Sequence, residues 1–248
     1  MCGRYAFTLP SEAMEILFRV ANVPEYPPRY NIAPTQPILA IWRDESGERA
    51  AKLARWGLVP AWVKDPRDFS LIINARAETM AEKPTFKASV RHHRCVVPAS
   101  GYYEWRRTPD GKKLPHYITS ASGEPLAMAG LYASWMGPNG EEVDTAAIIT
   151  VPANSDLAQI HDRMPAILGM TDIDAWLDVR GTDPKTALQV IRSAPEGTMT
   201  AHPVSNRVNS ARNEGEDLIA PVTVEKPQAD SGEAKDVKPA NPSQLDLF

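Results

Sequence analysis

Six short apolar runs dominate the patterning of this chain, at Ile38–Arg43, Ala51–Trp56, Arg94–Val97, Tyr102–Arg106, Leu126–Ala133 and Ala146–Val151. Runs of four to eight residues suit strands, whereas helices need ten or more residues of sustained 3.6-residue periodicity. Helical patterning is sparse. Residues 9–21 place Ala13, Ile16, Leu17 and Val20 on one face and predict an early amphipathic helix. Thr171 is positioned to cap a helix over Asp172–Val179. Asp183 followed by Pro184 opens another over Lys185–Ile191, because proline fits the first helical turn. Many strands with few helices predict an α+β fold, a compact single domain on a curved antiparallel sheet or open barrel.

That body is expected to span residues 1–222. From Thr223 to Ser243 Pro, Asp, Glu, Lys and Ala prevail without periodicity, which predicts a disordered linker. The apolar cluster Gln244-Leu245-Asp246-Leu247-Phe248 follows it. No run of eighteen apolar residues is present, so no membrane helix is expected, and the start lacks the basic-then-apolar pattern of a signal peptide. Two cysteines, Cys2 and Cys95, make no disulfide framework. A cytoplasmic monomer is the expectation. The net charge of −4 is unevenly spread: from Arg212 onward there are four basic and eight acidic side chains, so the body is near neutral. A neutral body can still carry a local basic groove.

Cys2 is the most reactive group in the sequence. Cysteine is small enough for an aminopeptidase to remove Met1, which leaves an N-terminal cysteine with two nucleophiles on adjacent carbons. In model compounds the α-amine titrates near 7.7–8.0 and the thiol near 8.5, so both are partly available at neutral pH. With an aldehyde the amine forms a Schiff base and the thiol closes a five-membered thiazolidine. The second attack is intramolecular and gains a large effective molarity. The ring-opened sugar of an abasic site in DNA is such an aldehyde. Gly3 permits close backbone approach and Arg4 sets a phosphate partner beside the nucleophile.

Other polar groups admit two readings each. Asn74, after the apolar Leu71-Ile72-Ile73, can hold a ligand oxygen or cap a turn. Arg76 can clamp phosphate or pair with Glu78. In Gly101-Tyr102-Tyr103-Glu104-Trp105 strand alternation puts Tyr102 and Glu104 on one face and Tyr103 and Trp105 on the other. A carboxylate between aromatics is desolvated and suited to proton transfer, although Glu104 can equally pair with Arg106 or Arg107. His161-Asp162-Arg163-Met164-Pro165 joins a proton shuttle, a carboxylate and a guanidinium, or is simply a surface turn. Trp56 reads as core. Trp62, after Pro60 and before Lys64, reads as the exposed ring on which a base can stack. His92, His93 and Cys95 match no common zinc spacing and read as a solvated loop entering a strand, so the sequence calls for no metal and no cofactor.

Together these blocks resemble the SOS-response-associated peptidase (SRAP) family, whose members shield abasic sites by covalent crosslinking. The resemblance spans about residues 2–210. It is carried by Met1-Cys2-Gly3-Arg4-Tyr5, Tyr30-Asn31-Ile32-Ala33-Pro34, Trp56-Gly57-Leu58-Val59-Pro60, Asn74-Ala75-Arg76-Ala77-Glu78, Arg94-Cys95-Val96-Val97-Pro98, Gly101-Tyr102-Tyr103-Glu104-Trp105, His161-Asp162-Arg163-Met164-Pro165 and Val204-Ser205. It implies Cys2 as crosslinking nucleophile, Asn74 as the group orienting the opened sugar, and Glu104 as proton carrier. His161 would assist sugar opening or reversal. Arg4, Arg76 and Arg163 would hold phosphates, with Trp62 and Trp105 lining the path of single-stranded DNA. The family name also implies peptidase action in removing Met1 or a pro-segment.

Two rivals belong to other classes. An N-terminal-nucleophile amidohydrolase also begins with Cys-Gly. A non-covalent single-strand-binding module would use the arginines and tryptophans and be indifferent to Cys2. Separately, Gln244, Leu245, Leu247 and Phe248 resemble the pentapeptide that docks on the bacterial β sliding clamp, with the preceding linker as a tether.

Overall fold

The structure is a computed structural model and describes residues 2–223. The linker from residue 224 on and the Gln244–Phe248 cluster lie outside the described residues. The elements run β1 (Tyr5–Phe7), α1 (Ser11–Phe18), β2 (Arg29–Ile32), β3 (Pro37–Arg43), β4 (Arg49–Trp56), β5 (Asn74–Arg76), α2 (Ala77–Met80) and α3 (Pro84–His92). They continue with β6 (Arg94–Ala99), β7 (Gly101–Arg107), β8 (Lys113–Ser120), β9 (Leu126–Met136), β10 (Glu142–Pro152), β11 (Arg163–Pro165), α4 (Asp172–Leu177), α5 (Pro184–Ala187) and β12 (Met199–Pro203). This is the α+β class that the strand-rich pattern predicts, and each of the six apolar runs lies within a strand.

The barrel is closed rather than open. β4 pairs β3, β3 pairs β6, β6 pairs β9 and β9 pairs β10, all antiparallel, and a parallel pairing of β10 with β4 completes the ring. A five-stranded ring has a narrow interior, which small side chains fill. A Cβ on Gly130 would lie 2.9 Å from Cys95 Sγ and 3.2 Å from the Ala147 carbonyl oxygen. Cys95 is therefore a fully buried packing residue of β6, and His92 ends α3 rather than forming a loop. β10 changes partners along its length. Its first part belongs to the ring, while Ile148–Thr150 pair in parallel with β5 and Thr150–Pro152 pair with β11. A second sheet has the order β12-β8-β7-β1-β2.

The helices are shorter than the patterning predicts. α1 starts after Pro10 and stops where Arg19 turns left-handed (φ 52°), and it buries Met14 and Phe18 while Ile16 and Leu17 stay exposed. The buried pair is an i, i+4 stripe worth about 1.5–3 kcal/mol per side chain. The expected apolar face over Ala13, Ile16, Leu17 and Val20 is thus corrected. Thr171 makes no side-chain cap to α4, whereas Asp183 caps α5 through the Lys185 and Thr186 amides as expected. Arg94, buried at the start of β6, ties α4 to the ring by donating to the carbonyls of Trp176, Val90, Asp178 and Thr182.

Candidate active site

Strand register delivers Glu104 to Cys2. β1 and β7 are antiparallel with Tyr5 opposite Tyr102, and the Tyr103 amide donates to the Arg4 carbonyl. Continued by two residues, that register sets Gly3 across from Glu104, next to Cys2. The alternation expected in β7 is present. Tyr102 joins the main core with Cys2, while Tyr103 packs in a second cluster with Trp105 at its edge. The barrel supplies the other two groups. Asn74 opens β5 and its Nδ2 donates to the Cys2 carbonyl oxygen at 2.8 Å. His161 lies in the segment between β10 and β11, with Nε2 4.0 Å from Glu104 Oε2. The site therefore forms at the seam of the two sheets, and Cys2, Asn74, Glu104 and His161, separated in sequence, meet there.

The electrostatics follow from burial. Cys2 has no exposed surface, and burial, reinforced by the nearby Glu104 carboxylate, pushes its thiol well above the ordinary range. Glu104 is 3% exposed, and desolvation raises its carboxyl above the usual value against the opposing pull of His161. The Arg163 amide donates to His161 Nδ1 at 3.0 Å, which leaves the proton of a neutral ring on Nε2, the nitrogen facing Glu104. Asp162 Oδ1 also lies 2.9 Å from Nδ1, but it is exposed, and the amide's directed hydrogen bond decides the tautomer. The Tyr102 hydroxyl and Asn74 Oδ1 are buried with no hydrogen-bond partner among the described residues. The Tyr102 hydroxyl is held protonated by burial first, then by the proximity of Cys2 and Glu104. Among the described residues no group of three His, Cys, Asp or Glu side chains is placed to hold a metal ion.

The three arginines differ in freedom. Arg4 is half-buried and donates through Nη1 to Asn31 Oδ1 and the Val208 carbonyl, both at 2.7 Å. Fully buried Asn31 extends the tie to the Ser210 and Asn213 carbonyls, so this pair fastens the segment after β12 beside the site. Arg163 forms two hydrogen bonds with Glu78 and one with the Thr150 carbonyl. Only Arg76 is exposed with no hydrogen bond or ion pair among the described residues. Trp56 is fully buried and Trp62 is 62% exposed, as read from the sequence. Trp62 meets Phe69 edge-to-face but does not line the cleft at the reactive groups. That cleft, about 490 Å³, is bounded by Glu104, Trp105, Arg107, Lys113, His161 and Asn209. Asn209 fixes Trp105 by accepting its indole N–H at 2.7 Å. The sequence reading missed Arg107, Lys113 and Asn209 as cleft residues, since each is an ordinary polar residue until the hairpin and the segment after β12 bring them together.

The family described as SOS response associated peptidase (SRAP) matches residues 1–211. The chain belongs to the SRAP family. It is 42% identical over 224 residues to the abasic site processing protein YoqW of Bacillus subtilis, covering 88% of this chain and 99% of that protein. It is 35% identical to the abasic site processing protein HMCES of Xenopus tropicalis, covering 90% of this chain and 78% of that one. SRAP-like architecture recurs in a crystal structure of a Bacteroides thetaiotaomicron protein, with TM-score 0.79, 25% identity and coverage of 90% of this chain and 100% of that one. A phage-related protein of Bordetella bronchiseptica gives TM-score 0.66 at 31% identity, covering 83% and 95%.

Proposed function

We propose that this SRAP protein processes abasic sites by bonding covalently to them in single-stranded DNA, with Cys2 as the N-terminal residue after Met1 is removed. One observation carries the reading: an asparagine grips the carbonyl of Cys2 at 2.8 Å, a desolvated carboxyl lies close enough to act on its thiol, and a histidine stands 4.0 Å from that carboxyl. The names of the relatives support the substrate.

The α-amine of Cys2 attacks the sugar aldehyde to give a carbinolamine. Glu104, whose carboxyl pKa is raised by burial, donates a proton to the departing hydroxyl, and one water leaves as the protonated imine forms. Sγ then adds to the imine carbon. The thiol proton passes to the Glu104 carboxylate and restores its acid form while the iminium proton stays on the ring nitrogen, so the net change is aldehyde plus aminothiol to thiazolidine plus water. Asn74 fixes the Cys2 backbone so that both nucleophiles address one carbon. Its Oδ1 is available to the opened sugar. His161, its proton on Nε2, serves sugar opening and the reverse reaction. Arg76 is the best placed of the arginines to meet backbone phosphate, and Trp62 and Trp105 offer rings to bases.

Removal of Met1 is the peptidase step that the chemistry requires. The setting is the replication and SOS response in the cytoplasm, with Gln244–Phe248 docking on the β sliding clamp to raise the local concentration of the body. Binding of the clamp by the full chain and not by a chain ending at Ser243 would support that anchor.

The central test is intact-mass analysis after mixing the protein with an oligonucleotide bearing one abasic site. An adduct of protein plus oligonucleotide minus one water, stable to denaturation, is expected. Cys2→Ala should give only a labile imine. A Cys2→Ala adduct as stable as that of the wild type would refute ring closure.

A further inference from the structure

We propose that Arg107 and Lys113 hold two successive backbone phosphates of the nucleotide beside the abasic sugar, with Trp105 as the wall for its base. The position on the strand rests on the crosslinking reading above; the ligand class, a single-stranded phosphodiester, rests on the hairpin itself. β7 and β8 are antiparallel with Arg107 directly opposite Lys113 and Trp105 opposite Pro115. Residues paired in this way share a face, so Trp105, Arg107 and Lys113 project to one side. Two like charges directly opposite each other on neighbouring strands are destabilising. Both are exposed, and neither meets a carboxylate or any other hydrogen-bond partner among the described residues. The next residue along shows the ordinary solution, since Lys112 Nζ pairs with Asp110 Oδ2 at 2.9 Å.

The two free cations also border the cleft that contains Glu104 and His161, so an anion bound to them lies alongside the reacting sugar. The Asn209 carboxamide oxygen holds the Trp105 indole in place at 2.7 Å, which makes a prefixed ring rather than a floppy one. A fixed aromatic ring with a pair of unpaired cations next along the same face of the hairpin matches a base and the backbone phosphates that run beside it. Repulsion between the two cations spreads their heads toward separate phosphates and is relieved when these bind.

The probe is a short unmodified single-stranded oligonucleotide, titrated at about 50 and 200 mM salt against the full chain, an Arg107→Gln/Lys113→Gln double variant and a Lys112→Gln control. Each phosphate contact contributes roughly 0.7 to the salt slope on single strands. Two contacts therefore make wild-type affinity fall about sevenfold more than that of the double variant across this fourfold salt range. Thermal unfolding of the double variant should match or exceed that of the wild type, because a repulsion has been removed. Abasic oligonucleotides carrying a flank on only the 5′ or only the 3′ side should show the crosslinking defect of the variant with one and not the other. A double variant with the wild-type salt slope overturns the proposal, as does a Lys112→Gln slope change as large as that of the double variant. A wild type that forms no adduct while the slope difference persists overturns the crosslinking reading and leaves the phosphate subsite standing.

Discussion

Arg163→Ala separates an arginine that builds the site from one that grips DNA. The Arg163 side chain is only 11% exposed, whereas its partner Glu78 is 45% exposed. Its Nη1 and Nη2 lie 2.5 and 3.0 Å from the Glu78 carboxylate, and Nη2 also donates to the Thr150 carbonyl at 2.5 Å. The ion pair, with one half-solvated partner, is worth up to about 1 kcal/mol. The charged hydrogen bond to a main-chain carbonyl adds about 1.5–3 kcal/mol. A total of roughly 3 kcal/mol lowers Tm by about 6–12 °C in a domain of this size. Thermal denaturation followed by circular dichroism measures it. The same preparation is then titrated with single-stranded DNA at several salt concentrations, beside Arg76→Ala. Arg76→Ala should keep the wild-type Tm and lose about 0.7 from the salt slope. Arg163→Ala should lose Tm and keep the slope. An unchanged Tm together with a reduced slope for Arg163→Ala would refute the reasoning, because its guanidinium would then be spent on phosphate.

Three further outcomes are expected. Glu104 has a raised native pKa, so the native state binds the proton more tightly than the unfolded chain does, and stability falls as pH rises from the ordinary carboxyl range, near 4.3, through that native value. Glu104→Gln should therefore melt higher than wild type at neutral pH, the gap closing below about pH 4 in melts across the range, while its crosslinking is slower. Tyr102→Phe removes a buried hydroxyl without a partner and should stabilise the fold by about 1 kcal/mol, read as a rise in denaturation midpoint at constant m-value. Asn74→Ala frees the Cys2 carbonyl and should slow single-turnover crosslinking by about 10–100-fold with little change in DNA affinity.

The long strands were legible because each repeats an apolar pattern over enough residues to be seen. β1, β2, β5 and β11 span three or four residues and carry no period of their own. They exist because neighbours offer them a ladder, as β10 does for β5 and β11. β8 was not legible because Pro115 and His116 interrupt its pattern, yet residues 113–118 pair one for one with β7. Ring closure was not readable at all, since it depends on a parallel pairing between strands far apart in sequence. In the site, residue types were readable and partners were not. Arg76 lies two positions from Glu78, but the arginine that takes Glu78 is Arg163, 85 residues away.

The distribution of unfavourable terms around Cys2 carries an argument of its own. A core selected for stability alone would have no reason to keep a buried hydroxyl without a partner at Tyr102, a buried carboxamide oxygen without one at Asn74, and a desolvated carboxyl at Glu104. Each has a simple apolar or isosteric replacement, and each costs about 1–3 kcal/mol where it stands. Asn74 bonds to Cys2 directly, while Tyr102 and Glu104 both raise or feel its charge. Buried polar atoms without partners also occur at Thr79, His93 and Asn154, so their number alone marks no site. What sets Tyr102 and Asn74 apart is their place beside Cys2, where a bound guest can supply the missing hydrogen bonds.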